Sequence, residues 1–358
     1  MIIYFLLVVI VTTLLIKSNR NQYPKEFKGF FIFLSALILI IFAGFRSNEI
    51  GVDTNNYISF FNKFDVNQSI FDIDSKRAIG FQILMYISKS ISQSYWSLLL
   101  SIAIICVFLT YRTLKKLSSY LTVSVFLYMT LAFYLFFFNG AKQGLAASIY
   151  GIALVNLVNK NFLKYLFYVF LASLFHKTVI IMLPFYFILQ LRFSIKKMIV
   201  FSVLSFVSIY FIGTILSVFN DDFQNRYGEY LDRGKSGGVL LGLFFTLNAL
   251  LFVFMRKYIS KAKLRVYDIY LFLTVFLALI YLVVISTGLD VNLIRLTLYF
   301  SFGHLLIWPI VLKDVPIFKL SIAKRLFYLV HLFFFFIYLT TMRKYTPYQF
   351  NDLFSNIF

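Results

Sequence analysis

The sequence predicts an all-α polytopic membrane protein, on three observations. Of its 358 residues, 61% are hydrophobic and only 13% are charged, whereas globular proteins average about 25% charged. Mean hydropathy is +0.86, and long apolar runs recur along the whole chain. Basic clusters fall in every second connection between those runs. Together these predict one bundle over residues 1–358, with about 12 transmembrane helices, in place of several soluble domains.

A spanning helix needs about 20 apolar residues. The first span, 1–16, lacks a basic start and a small-residue cleavage site, so it reads as a retained helix and not as a signal peptide. Spans follow at 27–45, 95–111, 120–138 and 143–158, then two short ones at 164–176 and 178–191. The last five are 198–216, 239–255, 268–286, 294–312 and 326–342. Cys106, the one cysteine, lies in an apolar run, which rules out an intramolecular disulfide and suggests no thiol chemistry.

The charges assign sides. Six connections hold 21 of the 34 basic residues, but only Glu26, Asp268 and Asp314 among the acids. By the positive-inside rule these connections are cytoplasmic, and both termini face outward. Most of the net charge of +20 is therefore a topology signal and not a nucleic-acid footprint. The two long polar connections, 46–94 and 217–238, both fall outside and carry most of the outer acids. Polar complexity on one face implies that the work is done there.

The first outer loop predicts two helices. In "DTNNYISFFNKF", Tyr57, Phe60, Phe61 and Phe64 recur at helical spacing, with Asp53 or Thr54 placed as an N-cap. "IGFQILMYISKSI", 79–91, carries an isoleucine stripe but is too short to cross, and reads as an interfacial or re-entrant helix. Asp72 and Asp74 lie on the wrong face for cytosolic nucleotides and read as solvated loop; no metal ligands and no cofactor are expected. His176-Lys177 stands out. Only 15 residues separate Lys160 from His176 and 14 separate Lys177 from Arg192. Each arm then reaches about 21–23 Å against a core of about 30 Å. The pair should lie within the outer half of the membrane, where an ionisable group normally faces a cavity. His304 and His331 sit in apolar runs and read as packing residues.

"FFFNGAKQGLAAS" puts Asn139, Lys142 and Gln143 at the outer end of a hairpin, with Gly140 and Gly144 allowing a tight turn and close helix approach. "TGLDVNLIRLTLYFS" puts Asp290 in an outer loop, and Arg295 and Tyr299 at i, i+4 on one expected helical face. "QNRYGEYLDRGKSGG" adds Arg226 outside. Arg46, Arg77, Lys142, Lys177 and Arg295 are thus outer cations near span ends on five segments. Such a set suits a lipid diphosphate, because guanidinium and ammonium groups neutralise phosphate oxygens.

In this order, "FRSNEIGVDTNNY", "IGFQILMYI", "NGAKQGLA", "LASLFHKTVIIMLPFY" and "NLIRLTLYF" resemble the EpsG family of Wzy-type polysaccharide polymerases over roughly residues 27–350. Two departures stand out. Ala78 occupies the place of a usual family glutamate, and Lys142-Gln143 the place of Arg-Gln. The resemblance implies joining of undecaprenyl-diphosphate-linked oligosaccharide units at the outer face of a bacterial cytoplasmic membrane, with a GT-C-like fold as one candidate architecture. It implies Arg46, Lys142 and Arg295, with Arg77, on the diphosphate, and His176 or Asp53 as the base for the acceptor hydroxyl. Tyr57 and Tyr299 would offer sugar-binding surfaces; Thr54, Gln143, Lys177, Arg226 and Asp290 complete the candidate binding set. Expected partners are the lipid-linked substrates, membrane lipid, a chain-length regulator and other polysaccharide assembly proteins, with no nucleic acid. A lipid-oligosaccharide flippase and a membrane O-acyltransferase are the rival readings. A flippase of repeat design would show two related halves with broken helices and midplane charges, and no such repeat is seen.

Overall fold

The computed structural model describes residues 1–65, 78–191, 236–287, 291–342 and 344–352, together with 194, 196 and 200. The chain divides into two compact units, Met1–Leu183 with Lys324–Phe358, and Pro184–Ala323.

The first unit opens with two antiparallel helices, α1 (Ile2–Asn19) and α2 (Lys25–Gly44). Tyr4, at the start of α1, packs its ring edge-on to Phe42 at the end of α2, with centroids 5.4 Å apart. α3 (Thr54–Lys63) and α4 (Ile79–Ile91) follow, then α5 (Trp96–Leu117), whose first ring stacks on Phe45 at 5.8 Å. α6 (Leu121–Thr130) begins beside the end of α1, where Asn19 Nδ2 donates to the Thr122 hydroxyl at 2.7 Å. It gives way to α7 (Phe133–Asn139) across a 43° bend. Ala132 makes that bend in the left-handed region, at φ 61°. Such a conformation costs about 1–2 kcal/mol for a non-glycine residue. Buried contacts hold it, among them the Tyr134 hydroxyl donating to the Leu39 carbonyl at 2.6 Å. α8 (Ala141–Val158) and α9 (Phe162–Ser173) form a hairpin, and a 3-10 helix, Lys177–Met182, follows. The final helix, which we call α15 (Ser321–Thr341), packs Phe327 against Phe126 of α6.

These directions sort the first unit by ends. Lys17, Arg20, Lys25, Lys28, Arg112, Lys115, Lys116, Lys160, Lys164, Lys324 and Arg325 all belong to one end. The starts of α1 and α5 and the ends of α2, α7 and α15 belong to the other. α8 is buried almost throughout, while α1, α2 and α15 leave apolar faces exposed through Leu6, Val9, Phe30, Phe33, Leu326 and Phe333. Helices that expose large apolar side chains in this way suit lipid as a solvent.

The second unit holds α10 (Phe185–Ile188), α11 (Ser236–Met255), α12 (Leu264–Thr287), α13 (Thr297–Phe300) and α14 (Phe302–Asp314). α11 and α12 are tied at one end by Arg256, whose Nε and Nη2 donate to Asp268 Oδ1 and Oδ2 at 2.7 and 2.9 Å. Lys263 pairs with Asp314 at 2.5 Å. His304 is buried against the rings of Phe245 and Phe252.

Among the described residues, seven helices are long and apolar enough to cross a membrane, and nine if each bent pair counts as one span. Single helices occupy seven of the expected spans, and bent pairs occupy 120–138 and 294–312, the second with a 46° bend; the other three places differ further. The expected span 198–216 lies, apart from residue 200, outside the described residues. At 164–176 and 178–191 the chain forms pieces too short to span alone, 12 residues in α9 and four in α10. The β-branched run Thr178-Val179-Ile180-Ile181 and then Pro184 disfavour a continuous helix there. His176 is extended at the break, at φ −153°. α3 and α4 both occupy the segments read as helical in the first long loop.

Candidate functional site

Arg46 follows α2 directly, where a membrane-edge cation was expected. It is instead wholly enclosed, at 0% exposure. Its Nη1 donates to the Ala43 carbonyl at 2.5 Å, and its guanidinium carbon lies 4.4 Å from the centroid of the Phe138 ring. Among the described residues, Nε and Nη2 have no hydrogen-bond partner. The hydroxyls of Tyr348, Tyr134, Tyr345 and Tyr4 are near enough to act on its charge. Burial holds the Tyr345 and Tyr348 phenols well above the usual tyrosine range, so neither supplies a counter-charge. Burial also draws the guanidinium down to about 10, which leaves it a cation at neutral pH.

One wall of this enclosure comes from the far end of the chain. Arg46 and Phe350 form an isolated antiparallel bridge. The Ser47 N–H donates to the Gln349 carbonyl at 2.9 Å, and the Asn351 N–H to the Phe45 carbonyl at 2.8 Å. Tyr348 stacks on Phe42 at 4.0 Å and donates its hydroxyl to the Phe42 carbonyl. Tyr4 donates to the Tyr345 carbonyl at 2.7 Å.

The segment after Arg46 then lies down on the α7–α8 elbow. Asn139 is the joint. Its Oδ1 accepts the Val52 N–H at 2.7 Å, its Nδ2 donates to the Tyr345 hydroxyl at 2.7 Å, and its carbonyl accepts the Tyr57 hydroxyl at 3.3 Å. Gly51 makes the approach at φ 97°, where an added Cβ would meet the Phe138 carbonyl oxygen at 2.8 Å. Thr54 is buried, donating to the Ile50 carbonyl at 2.6 Å. Asp53 sits half-buried at the N-cap position of α3, and its side chain makes no capping bond to the helix.

α3 and α4 complete the cluster. The Lys142 ammonium lies 5.1 Å from the centroid of Phe81 and 5.8 Å from that of Phe60. Tyr57 packs its ring on Phe81 at 5.5 Å. Lys89 is buried and donates to the carbonyls of Phe61, Asn62 and Phe64 at 2.8, 2.9 and 2.6 Å, which ends α3. At the start of α4 the Gly80 N–H donates to the Leu174 carbonyl at 2.9 Å. An added Cβ at Gly80 would come within 3.0 Å of the Phe175 ring, so only glycine fits without displacement. His176 follows, half-buried, with Nδ1 at 2.6 Å from the Thr178 hydroxyl.

Four of the five sequence motifs thus meet at one end of the first unit: residues 46–57, 79–82, 139–143 and 174–176. Gln143 is buried beneath them and Lys177 is exposed. The fifth motif belongs to the second unit. There Arg295 is exposed while Tyr299 is at 0% exposure, so the two do not share a face as expected. The reason is local: Val291–Leu296 is a 3-10 helix, and only Thr297–Phe300 is α-helical. Arg77, Arg226 and Asp290 lie outside the described residues. Sequence reasoning missed Tyr345, Tyr348, Phe81 as a partner of Lys142, and the linking role of Asn139. The polar, aromatic "YTPYQFN" after the last span was the available signal.

A family model described as the EpsG family matches residues 29–350. The chain is also similar to the amylovoran biosynthesis protein AmsC of Erwinia amylovora, at 24% identity over 187 residues. That match covers 50% of each chain, so this chain spans about half the length of the curated relative. No solved structure matches.

Proposed function

This chain belongs to the EpsG family, and on that premise we propose that it is a glycosyltransferase that polymerises a surface polysaccharide. Its substrates are oligosaccharide units carried on undecaprenyl diphosphate, and it joins them on the outer face of the cytoplasmic membrane. The similarity to a protein named for amylovoran biosynthesis supports the product class. The observation that carries the reading is the meeting of four separated motifs at the end of the first unit opposite its basic connections. If those connections are cytoplasmic, the cluster faces outward.

In this reading the acceptor hydroxyl attacks the anomeric carbon of the donor. The bond from that carbon to the diphosphate oxygen breaks, and the hydroxyl proton passes to His176 or Asp53. Lys142 and Arg46 neutralise charge growing on the diphosphate; Arg295 and Arg77 are further candidates for that work. Lys142 is half-buried between aromatic rings, where a cation acts in a lower dielectric than in water. Tyr57, hydrogen-bonded and packed on Phe81, offers a fixed edge for a sugar. With Ala78 in the place of the family glutamate, the base must come from elsewhere in the cluster.

The test is the glycan profile of a deletion strain complemented by wild-type or variant chains at equal abundance. Deletion should leave single capped units, and Lys142→Ala and His176→Ala should shorten or abolish the ladder. Normal chain length with altered acetyl content would instead identify an O-acyltransferase. Accumulation of lipid-linked units on the inner leaflet would identify a flippase.

A further inference from the structure

The chain contains two arginines with the same donor edge in different company. In Arg256, Nε and Nη2 form a side-on fork to the two oxygens of Asp268. In Arg46 the same pair of nitrogens is fully buried and has no acceptor among the described residues, while Nη1 is occupied by the Ala43 carbonyl. A parallel N–H pair on a permanent cation is complementary to two oxygens of one anion. Among the described residues, no carboxylate fills that place.

An anion from outside must pass a wall. The flanking residues Tyr4, Ala43, Tyr134 and Phe138 stand on or beside α1, α2 and α7, helices whose backbones are bonded internally. A further wall is 344–351, which is no helix; its backbone joins the segment after α2 by three hydrogen bonds, at Phe45, Ser47 and Gly51, and its side chains Tyr345 and Tyr348 anchor it to α7 and α2. It leaves the end of α15 through Lys344, at φ 64°. Pro347 and Gln349 on its outer side are exposed. A segment held by few backbone bonds opens at lower free energy than packed helices.

We infer that residues 344–351 are a movable strap, and that lifting it uncovers the Nε–Nη2 edge of Arg46 to the diphosphate of the lipid-linked substrate. The identity of the anion rests on the function proposed above; the strap rests on the geometry alone. The strap and the segment around Arg46 move relative to each other with each loading, so a covalent tie between them traps the closed state.

Ser47 and Gln349 are hydrogen-bonded neighbours across the bridge, and the native Cys106 is buried. The double variant Ser47→Cys/Gln349→Cys therefore supplies a disulfide that closes on oxidation. Full-length protein in detergent is treated with phenylglyoxal, and modification of Arg46 is followed by peptide mass. Oxidation should slow modification at least tenfold, and reduction should restore the wild-type rate. In wild type, a polyprenyl diphosphate in micelles should protect Arg46 at least tenfold better than inorganic pyrophosphate at equal concentration. An Arg46 rate unchanged by the disulfide overturns the strap. Absence of protection by either anion overturns the anion site, and equal protection overturns the lipid assignment. The single variants Ser47→Cys and Gln349→Cys must label like wild type, which separates gating from misfolding. A deletion strain that still makes full-length polymer overturns the proposed function and leaves the gating result standing.

Discussion

Arg46, buried, and Asn139, half-buried, separate two uses of a polar side chain. Asn139 is spent on structure: its side-chain amide is used at both ends, and its carbonyl takes a third bond. Removing a buried partner leaves the other group unsatisfied, at about 1–3 kcal/mol. Asn139→Ala should therefore lower the thermal midpoint of the purified protein and shorten the polymer together. Among the described residues, Arg46 makes one hydrogen bond and its charge meets no carboxylate. Replacing buried ionic groups with apolar ones of similar volume is often neutral or stabilising, by about 1–4 kcal/mol. Arg46→Met should then keep or raise the thermal midpoint while abolishing the polymer ladder. A drop in the midpoint as large as that of Asn139→Ala would mean that Arg46 is a structural residue, and its place in the mechanism would fall. Neither role was legible beforehand. Arg46 looked like a span-end cation because its neighbours in sequence are polar, and its enclosing tyrosines come from elsewhere in the chain.

At the scale of elements, α3 and α4 were readable because their sequences carry their own evidence. An apolar stripe at helical spacing marks a helix whatever it packs on; which face packs inward was not legible, because Ile83, Ile87 and Ile91 of α4 are exposed while Phe81, Leu84 and Met85 are buried. The junction of α4 with the residue pair before His176 was not readable, since it depends on which ring lies opposite Gly80. A Cβ there comes within 3.0 Å of Phe175, at the tip of the α9 segment. Gly80→Val should push α4 from Leu174 and reduce polymer length. Adding Phe175→Leu should recover part of it, because the obstacle is a side chain rather than backbone. Equal defects in the single and double variants would show that this contact does not set the position of His176. The two short spans failed for the opposite reason. Hydropathy was right about 164–191, but it is blind to a β-branched run and a proline that break the helix. The strap was illegible for yet another reason: Tyr348 bonds to Phe42, 306 residues away, and no local pattern announces such a pairing.

Across the whole molecule, charge alone implied most of what the structure needs for direction. The basic connections of the first unit gather at one end without exception among its helix joints, and the site residues at the other. This agreement is independent of helix count, because removing a short hairpin from the span list removes two crossings and preserves parity. The assignment of ends to sides is a prediction that one labelling experiment decides. Cys106 is buried, so the background to thiol reagents is low. Glu49 is exposed beside the site, and Lys116 is exposed at the basic end. In intact cells a membrane-impermeant maleimide should modify Glu49→Cys. Lys116→Cys should react only after the membrane is opened. The reverse pattern would put the cluster in the cytosol, where a lipid-linked unit awaiting export is the available substrate, and would favour the flippase over the polymerase. Labelling of both positions in intact cells would break the positive-inside argument itself, because the two residues stand at opposite ends of one bundle.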